Sequence, residues 1–237
     1  MSWARRLLLP AVAGLALLAG CGSDPGDAGD ASLDVSNAEV TANGCTTPPP
    51  TPAEITTYDS AAAPTAPSDS DLVATVSTNC GEVQVELFGD LAPVTVASFE
   101  LLAGSGYWDH SPCHRLTTAG IHVLQCGDPT GTGRGGPGYT FGIENAPPDG
   151  RYPAGTVAMA RSQDPNSNGG QFFIVQQDAE LPVRGGGYSI FGKVTSGMEV
   201  IDRIAGQGVL GGGSDGAPAQ PVSILSVEVE QGEASSS

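Results

Sequence analysis

An arginine and a glutamine interrupt two short segments whose other residues are typical of strands. Arg115 follows Cys113 and His114, and Gln125 comes directly after the largely apolar segment 121–124. A polar side chain in mid-strand is costly unless it is exposed or paired with another polar group. A guanidinium is always charged and presents its donors in a rigid fork, so Arg115 is a candidate functional residue.

A purely structural role for the same arginine is also open. Arg115 could form an ion pair with Asp109 or with Asp128, both of which are close to it in the sequence. Either pair would satisfy the guanidinium without any catalysis.

Three histidines and a cysteine fall close together and raise the question of a metal site. They are His110, Cys113, His114 and His122. Because Cys113 and His114 are adjacent, their side chains would point to opposite faces of a strand. The chain also has no Cys-x-x-Cys pair, which is typical of structural zinc sites. We therefore expect neither a metal site nor a cofactor.

A glycine-rich segment, 131–136, matches the G-x-G-x-x-G pattern of dinucleotide-binding proteins. That pattern binds pyrophosphate where a helix begins directly after it. Here Pro137, Gly138 and Tyr139 follow, so the segment is predicted to be a flexible loop. Ser105 lies between two glycines but lacks the flanking pattern of a hydrolase nucleophile.

Four cysteines besides Cys21 favour an oxidising compartment, since an even number allows full pairing. If Arg115 and Gln125 share one face of a hairpin, side-chain alternation places Cys113 and Cys126 on opposite faces. A Cys113–Cys126 bridge would then be strained, so we favour cross-pairing of these two with Cys45 and Cys80. Four free buried thiols are the alternative.

Hydrophobic periodicity places these residues on a mainly β framework with two helices. Alternation in segments 83–87 and 225–229, and the apolar run 172–175, predict strands. Pro93 fits the first turn of a helix that ends near Gly104. A capping box, Ser196-x-x-Glu199, predicts a second helix that ends at Gly206.

The amino-acid composition limits the possible fold classes and the possible classes of binding partner. The 34 glycines and 19 prolines indicate many turns and exclude helical bundles. Short strands with two helices predict a closed antiparallel barrel whose ends the helices cover. The net charge of −17, from 9 basic and 26 acidic residues, repels phosphate backbones. We therefore expect no nucleic-acid partner.

The N-terminal region predicts export and anchoring. Two arginines precede the apolar run 7–18, which suits a signal peptide and is too short to span a bilayer. Small residues before Cys21 resemble a lipobox, which implies a signal peptide over 1–20, acylation of Cys21 and location on the outer face of the cell membrane. Ordinary secretory cleavage is the alternative.

Composition then divides the rest of the chain into three parts. Residues 22–70 contain no lysine or arginine and seven prolines, so 21–70 is predicted to be a disordered acidic tether. Residues 71–231 form the folded domain, and 232–237 a frayed tail.

Several motifs, in one order, resemble the cyclophilin family of peptidyl-prolyl isomerases. They are His114-Arg115 with the segment 125–128, the glycine loop 131–141, Ala158-Met159-Ala160, the block 166–174, and segments 191–194 and 197–200. The resemblance covers about residues 72–229. It implies a closed eight-stranded antiparallel barrel capped by two α-helices, and peptidyl-prolyl cis-trans isomerase activity on exported proteins.

The resemblance also implies roles for individual residues. Arg115 would be catalytic, hydrogen-bonding the prolyl nitrogen as the amide twists, and Gln125 would hold the substrate carbonyl or orient Arg115. Phe173 would form the floor of the proline pocket. The other expected substrate-binding residues are His122, Val123, Ala160, Arg161, Gln171, Leu181 and Tyr188.

Some positions depart from the family's pattern. His122 stands where a phenylalanine is usual and Arg161 where an asparagine is usual, while the frequent tryptophan near Leu181 is missing and Tyr188 replaces a common histidine. We therefore expect reduced activity and low affinity for cyclosporin. A second hypothesis is a cyclophilin-like binding module or holdase with little turnover. Either way, we expect a monomer whose partners are proline-containing polypeptides.

Overall fold

A curled antiparallel sheet of nine strands forms the body of the molecule. The computed structural model describes residues 43–60, 64 and 71–232. The strands are β1 (Leu72–Thr78), β2 (Gly81–Leu87), β3 (Arg115–Ala119), β4 (Ile121–Cys126), β5 (Arg151–Tyr152), β6 (Thr156–Met159), β7 (Phe172–Val175), β8 (Ala179–Glu180), β9 (Ile190–Ser196), β10 (Asp215–Gly216) and β11 (Ile224–Gln231). The sheet has the order β10-β3-β4-β7-β6-β9-β2-β1-β11, and β5 pairs with β8 in a separate small sheet.

The expected mainly β class with two helices is confirmed, but the sheet is not a closed ring of eight strands. Its end strands, β10 and β11, do not pair with each other. Strand β10 has only two residues, and its ladder is formed with β3. An isolated bridge between Pro112 and Ser223 joins the segments that precede β3 and β11. The result is a half-barrel with one incomplete seam.

Both predicted helices are present, with one difference in capping. Helix α1 (Pro93–Gly104) begins at the predicted proline and buries Val96, Phe99 and Leu102. Helix α2 (Met198–Gly206) ends at the predicted glycine, but Gly197 is its N-cap and no side chain caps it. The predicted capping box is therefore wrong, because Ser196 is still the last residue of β9.

Alternation along the central strands gives the sheet two apolar faces. Leu124 of β4 and Phe172 and Ile174 of β7 belong to the main core, where Phe172 packs on Phe99 of α1 with ring centroids 5.9 Å apart. Their neighbours in sequence, Val123 and Phe173, belong to a second, smaller cluster. Because successive side chains of a strand point to opposite faces, the second cluster lies on the outer face of the sheet.

The disulfide pairing differs from the expectation. Cys45 is bonded to Cys80, and Cys113 to Cys126, so the predicted cross-pairing is wrong. The alternation argument assumed that Cys113 lies in the same strand as Arg115, but β3 begins only at Arg115. The Cys113 N–H instead donates to the carbonyl of Val222 at 2.9 Å, which frees its side chain from the strand's alternation.

Part of the predicted tether packs on the domain. Within residues 43–60, Cys45 is fully buried in the core cluster. Tyr58 donates its backbone N–H to Pro137 and its hydroxyl to Ser105, and its ring packs against Tyr139. The prediction of a disordered tether over 21–70 is therefore wrong for residues 43–60. Composition missed this because one buried cysteine and one tyrosine hold the segment in place.

Other predictions fall outside the described residues. These are the signal peptide over 1–20, Cys21, and the rest of the tether and tail at 22–42, 61–63, 65–70 and 233–237. Among the described residues, none of the helices has the length and apolar character needed to cross a bilayer.

Removal of the bond that attaches the 43–60 segment should lower stability. The pair Cys45 and Cys80 is separated by 35 residues, and closing a loop of that size restricts the unfolded chain. We expect Cys45→Ser/Cys80→Ser to lose about 2–4 kcal/mol of unfolding free energy, measured by urea denaturation. Ser60→Ala, an exposed change in the same segment, is the control. A denaturation midpoint equal to that of the wild type would show that the bond does not stabilise the fold.

Candidate functional site

The register of four neighbouring strands brings the predicted functional residues into one row. Arg115 of β3 pairs with Gln125 of β4, Gln125 pairs with Phe173 of β7, and Phe173 pairs with Ala158 of β6. Directly paired residues in antiparallel strands place their side chains on the same face. The row therefore lies on the outer face, with a guanidinium at one end and an aromatic ring near the other.

This row borders an open cavity of about 450 Å3, here called the apolar pocket. Its lining includes seven residues that the sequence analysis predicted besides Phe173: Arg115, Val123, Gln125, Ala160, Arg161, Leu181 and Tyr188. The Phe173 side chain is almost fully buried in the outer cluster with Val123 and Leu181. Its ring meets that of Tyr188 edge-on, with centroids 5.6 Å apart. The pocket thus has a rigid apolar base.

The guanidinium of Arg115 is oriented by a carboxylate at the pocket's edge. Its Nε donates to Asp215 Oδ1 at 2.7 Å and its Nη2 to Asp215 Oδ2 at 2.8 Å. These hydrogen bonds raise the pKa of Arg115 and lower that of Asp215. The partner is neither Asp109 nor Asp128. The pairing with Asp215 fixes the plane of the Arg115 guanidinium and leaves the adjacent pocket open.

A chain of amide hydrogen bonds holds the other side of the guanidinium. Arg115 Nη1 donates to Gln125 Oε1 at 3.3 Å, Gln125 Nε2 donates to Gln171 Oε1 at 3.0 Å, and Gln171 Nε2 donates to the carbonyl of Gly135 at 2.9 Å. Gln171 lines an adjoining cavity of about 460 Å3, here called the side groove. It therefore lies one step from the apolar pocket, as the sequence analysis expected.

His122 is the exception among the predicted residues. It lies between Ile121 and Val123 on β4, and those two line the apolar pocket while His122 does not. Alternation places its side chain on the opposite face. The prediction that His122 contacts a substrate ring is therefore wrong, and the pocket wall at this point is the aliphatic side chain of Ile121.

The glycine loop is a loop, as predicted, and is built on a buried carboxylate. Asp128 is fully buried and accepts hydrogen bonds from the Thr130 hydroxyl and from the backbone N–H groups of Thr130, Arg134 and Gly135. Burial opposes ionisation of Asp128, but these hydrogen bonds hold its pKa below the usual range. The buried anion fixes the loop that carries Gly133 to the pocket's edge.

His114 lies at the edge of the apolar pocket near the glycine loop. It lines the apolar pocket, and neither of its ring nitrogens has a hydrogen-bond partner in the described part of the chain. Burial lowers the pKa of His114, although the nearby Asp128 acts in the opposite direction. Burial thus favours the neutral form of the imidazole. The described residues contain no group of three or more His, Cys, Asp or Glu that could hold a metal ion.

Sequence reasoning missed two residues that shape the pocket, Asp215 and Ile121. Asp215 stands 100 residues after Arg115 in a glycine-rich segment, and nothing in that segment's pattern points back to the arginine. Ile121 could have been found, because it has the same parity as Val123 and Gln125 on one strand.

The fold and the site together define a class of protein. A half-barrel with an arginine beside an outer apolar pocket is the architecture of a cyclophilin, and the family model for cyclophilin type peptidyl-prolyl cis-trans isomerases matches residues 73–229. The chain belongs to this family.

Relatives and solved structures agree with this assignment. The chain is 42% identical over 178 residues to the probable peptidyl-prolyl cis-trans isomerase B of Mycobacterium leprae, a match covering 69% of this chain and 59% of the relative. For the protein of the same name from Mycobacterium tuberculosis, identity is 45% over 163 residues, covering 63% and 52%. The chain thus spans between half and three-fifths of these relatives.

A cyclophilin-type isomerase from Cryptosporidium parvum, crystallised in the presence of the dipeptide Ala-Pro, has a similar structure. It superposes with a TM-score of 0.57 and is 32% identical, covering 67% of this chain and 98% of that one.

The Arg115–Asp215 pair predicts a measurable pH dependence. Arg115 favours the charged form of Asp215, so the carboxylate takes up its proton only below the ordinary aspartate pKa of about 3.9. We expect the Nε–H resonance of Arg115 to be sharp at neutral pH and to shift as pH falls through this low midpoint, followed by two-dimensional NMR. The contribution of the pair to stability is present above the ordinary pKa and is lost in the same acidic window, and it is small because both side chains are partly exposed.

The matched variants are Asp215→Asn, which should abolish this transition, and Asp149→Asn, which removes a carboxylate beside Arg151 and should leave it unchanged. A transition that persists in Asp215→Asn would mean that another group titrates.

Proposed function

We propose that the protein is a peptidyl-prolyl cis-trans isomerase that acts on X–Pro bonds of exported proteins and assists their folding outside the cytoplasm. The observation that carries this proposal is the juxtaposition of an oriented guanidinium with an apolar pocket on the outer face of the sheet. Family membership supports it.

The reaction needs no bond cleavage and no cofactor. Resonance holds the X–Pro amide planar, with a rotation barrier of about 18–20 kcal/mol. A rate gain of about five decades requires roughly 7 kcal/mol of stabilisation that exists only in the transition state. As the amide twists, its nitrogen becomes pyramidal and gains a lone pair, which a hydrogen-bond donor can stabilise.

Arg115 has donors left for that lone pair. A guanidinium carries five N–H groups, of which two donate to Asp215 and one to Gln125. One N–H on each Nη remains for a ligand in the pocket. Because the fork is held before the substrate arrives, little reorganisation is needed during the reaction. Phe173, with Val123, Ile121 and Leu181, would receive the proline ring.

We also propose that the protein is exported, lipid-anchored through Cys21 on the extracytoplasmic face of the cell membrane, and monomeric. The apolar run 7–18 and the small residues before Cys21 support export and acylation. The disulfides Cys45–Cys80 and Cys113–Cys126 support an oxidising compartment. The remaining tether residues would space the domain from the membrane.

Replacement of the guanidinium tests the catalytic role. We expect Arg115→Ala to lower kcat/KM by about 100-fold or more, because it removes the preorganised donor. Arg115→Lys should fall in between, since an ammonium keeps the charge and loses the fork. The measurement is a proline-peptide isomerisation assay, with Arg151→Ala, an arginine outside the pocket, as the control.

Two outcomes would contradict the proposal. Equal rates for the wild type and Arg115→Ala would remove the catalytic role of Arg115. Tight peptide binding by the wild type with no rate enhancement would select the binding-module hypothesis.

Replacement of Cys21 tests the anchor. Expressed in a bacterium that processes lipoproteins, the wild type should be found in the membrane fraction and incorporate labelled fatty acid. We expect Cys21→Ser to lose the label and leave that fraction, because its hydroxyl cannot carry the thioether-linked lipid. Ser60→Ala, an exposed change elsewhere in the chain, is the control and should keep both the label and the membrane location. An unlabelled, soluble wild-type protein would refute the anchor.

A further inference from the structure

Basic residues are concentrated around one groove of an otherwise acidic protein. Of the nine lysines and arginines, Arg5 and Arg6 lie outside the described residues. Four of the other seven line three adjoining cavities: the apolar pocket, the side groove and a third cavity of about 690 Å3. They are Arg115, Arg134, Arg161 and Arg184. Arg161 lines all three cavities and so connects them.

Three of these arginines keep their charge uncompensated. In the described part of the chain, the ion pairs are those of Arg115 with Asp215 and of Arg151 with Asp149 and Glu180. Arg161 is held by neutral carbonyl groups instead: its Nε donates to Gly187 at 2.6 Å and its Nη1 to Ser162 at 2.9 Å. Its guanidinium carbon lies 5.0 Å from the centre of the Tyr188 ring. These contacts fix its position and leave its charge intact.

The other two arginines flank Arg161 on exposed loops. Arg134 belongs to the glycine loop and lines the side groove. Arg184 lies on the far side, in the third cavity, where its carbonyl accepts a hydrogen bond from Arg161. Three cations therefore stand on the rim of the cavities that adjoin the apolar pocket.

Nearby carboxylates do not cancel these charges. Asp215 is paired with Arg115, and Asp128 is buried beneath the glycine loop, where donors surround it. Glu180 faces Arg151 at 3.9 Å. Asp164 is exposed and lines none of the three cavities, so solvent screens its charge from them. The lining of the three cavities contains Asp215 and no other acidic residue in the described chain.

Short-range charges dominate the field inside such a groove. The screening length at physiological ionic strength is about 8 Å. A carboxylate bound in the groove therefore interacts mainly with the rim arginines, although the chain as a whole carries a charge of −17. Arginine also binds carboxylates in a bidentate manner.

From this charge arrangement we infer a substrate class: proline segments with an acidic residue close to the X–Pro bond. The inference rests on the proposed isomerase function and adds to it a preference for peptides such as those with aspartate or glutamate beside the prolyl dipeptide. The rim arginines select these peptides, whereas the apolar pocket and Arg115 act on any proline.

The test compares peptides that differ in one residue. Ala-Pro peptides carry Glu, Gln or Lys either before or after the dipeptide, and both kcat/KM and the dissociation constant are measured with the full chain. At physiological ionic strength we expect about 5-fold higher kcat/KM for Glu than for Gln in at least one position, as one or two partly exposed ion pairs would give. Lys should be poorer than Gln, and high salt should reduce the difference.

Variants then locate the source of the preference. Arg134→Gln/Arg184→Gln should lower the ratio of Glu to Gln values at least 2-fold, because Arg161 alone of the three rim arginines then keeps its charge. Lys193→Gln removes one positive charge from an exposed residue of β9 that lines none of the three cavities, and should leave the ratio unchanged.

The outcomes separate this inference from the isomerase proposal. Equal rates and equal affinities for all peptides, or a ratio unaltered in Arg134→Gln/Arg184→Gln, would overturn the charge preference. Tighter binding of Glu peptides without any turnover would support the preference and refute the isomerase function.

Discussion

The pairing of Arg115 with Gln125 across β3 and β4 is the constraint on which the site depends. The same strand register aligns Gln125 with Phe173 and Phe173 with Ala158. A shift of one residue would turn the guanidinium into the main core and move Leu124 or Phe172 to the outer face. The apolar inner face, which buries Leu116, Leu124 and Phe172, thus determines where the functional groups stand.

The surroundings of this row add rigidity in two different ways. On one side, Asp128 is buried at the cost of desolvation and stabilises the glycine loop through several donors. The loop's Gly135 carbonyl then terminates the amide chain that runs through Gln171 to Gln125. On the other side, Asp215 binds the guanidinium directly. The arginine is thus positioned by one contact from β10 and by one chain of contacts from the glycine loop.

The disulfide bonds and the rim arginines occupy different parts of the molecule and have different roles. The bonds Cys45–Cys80 and Cys113–Cys126 restrain the chain where hydrogen-bonded ladders are absent, at the 43–60 segment and before β3. The rim arginines stand on loops, which the sheet and the buried carboxylate hold in place. Because the sheet and Asp128 hold these loops in place, the cyclophilin fold of this chain can present its own pattern of surface charge.

The sequence by itself determined the class of fold, both helices, and most of the pocket. Local periodicity and the order of motifs carry that information, and the structure brings Arg115, Gln125, Phe173 and Leu181 together at one pocket. The tertiary structure alone decided the open seam, the disulfide pairing, the role of Asp215 and the exclusion of His122. These features depend on where a strand begins or on contacts between residues far apart in the chain. Side-chain alternation predicts a face only inside a strand, so it failed for Cys113 before β3 and would have succeeded for Ile121 within β4.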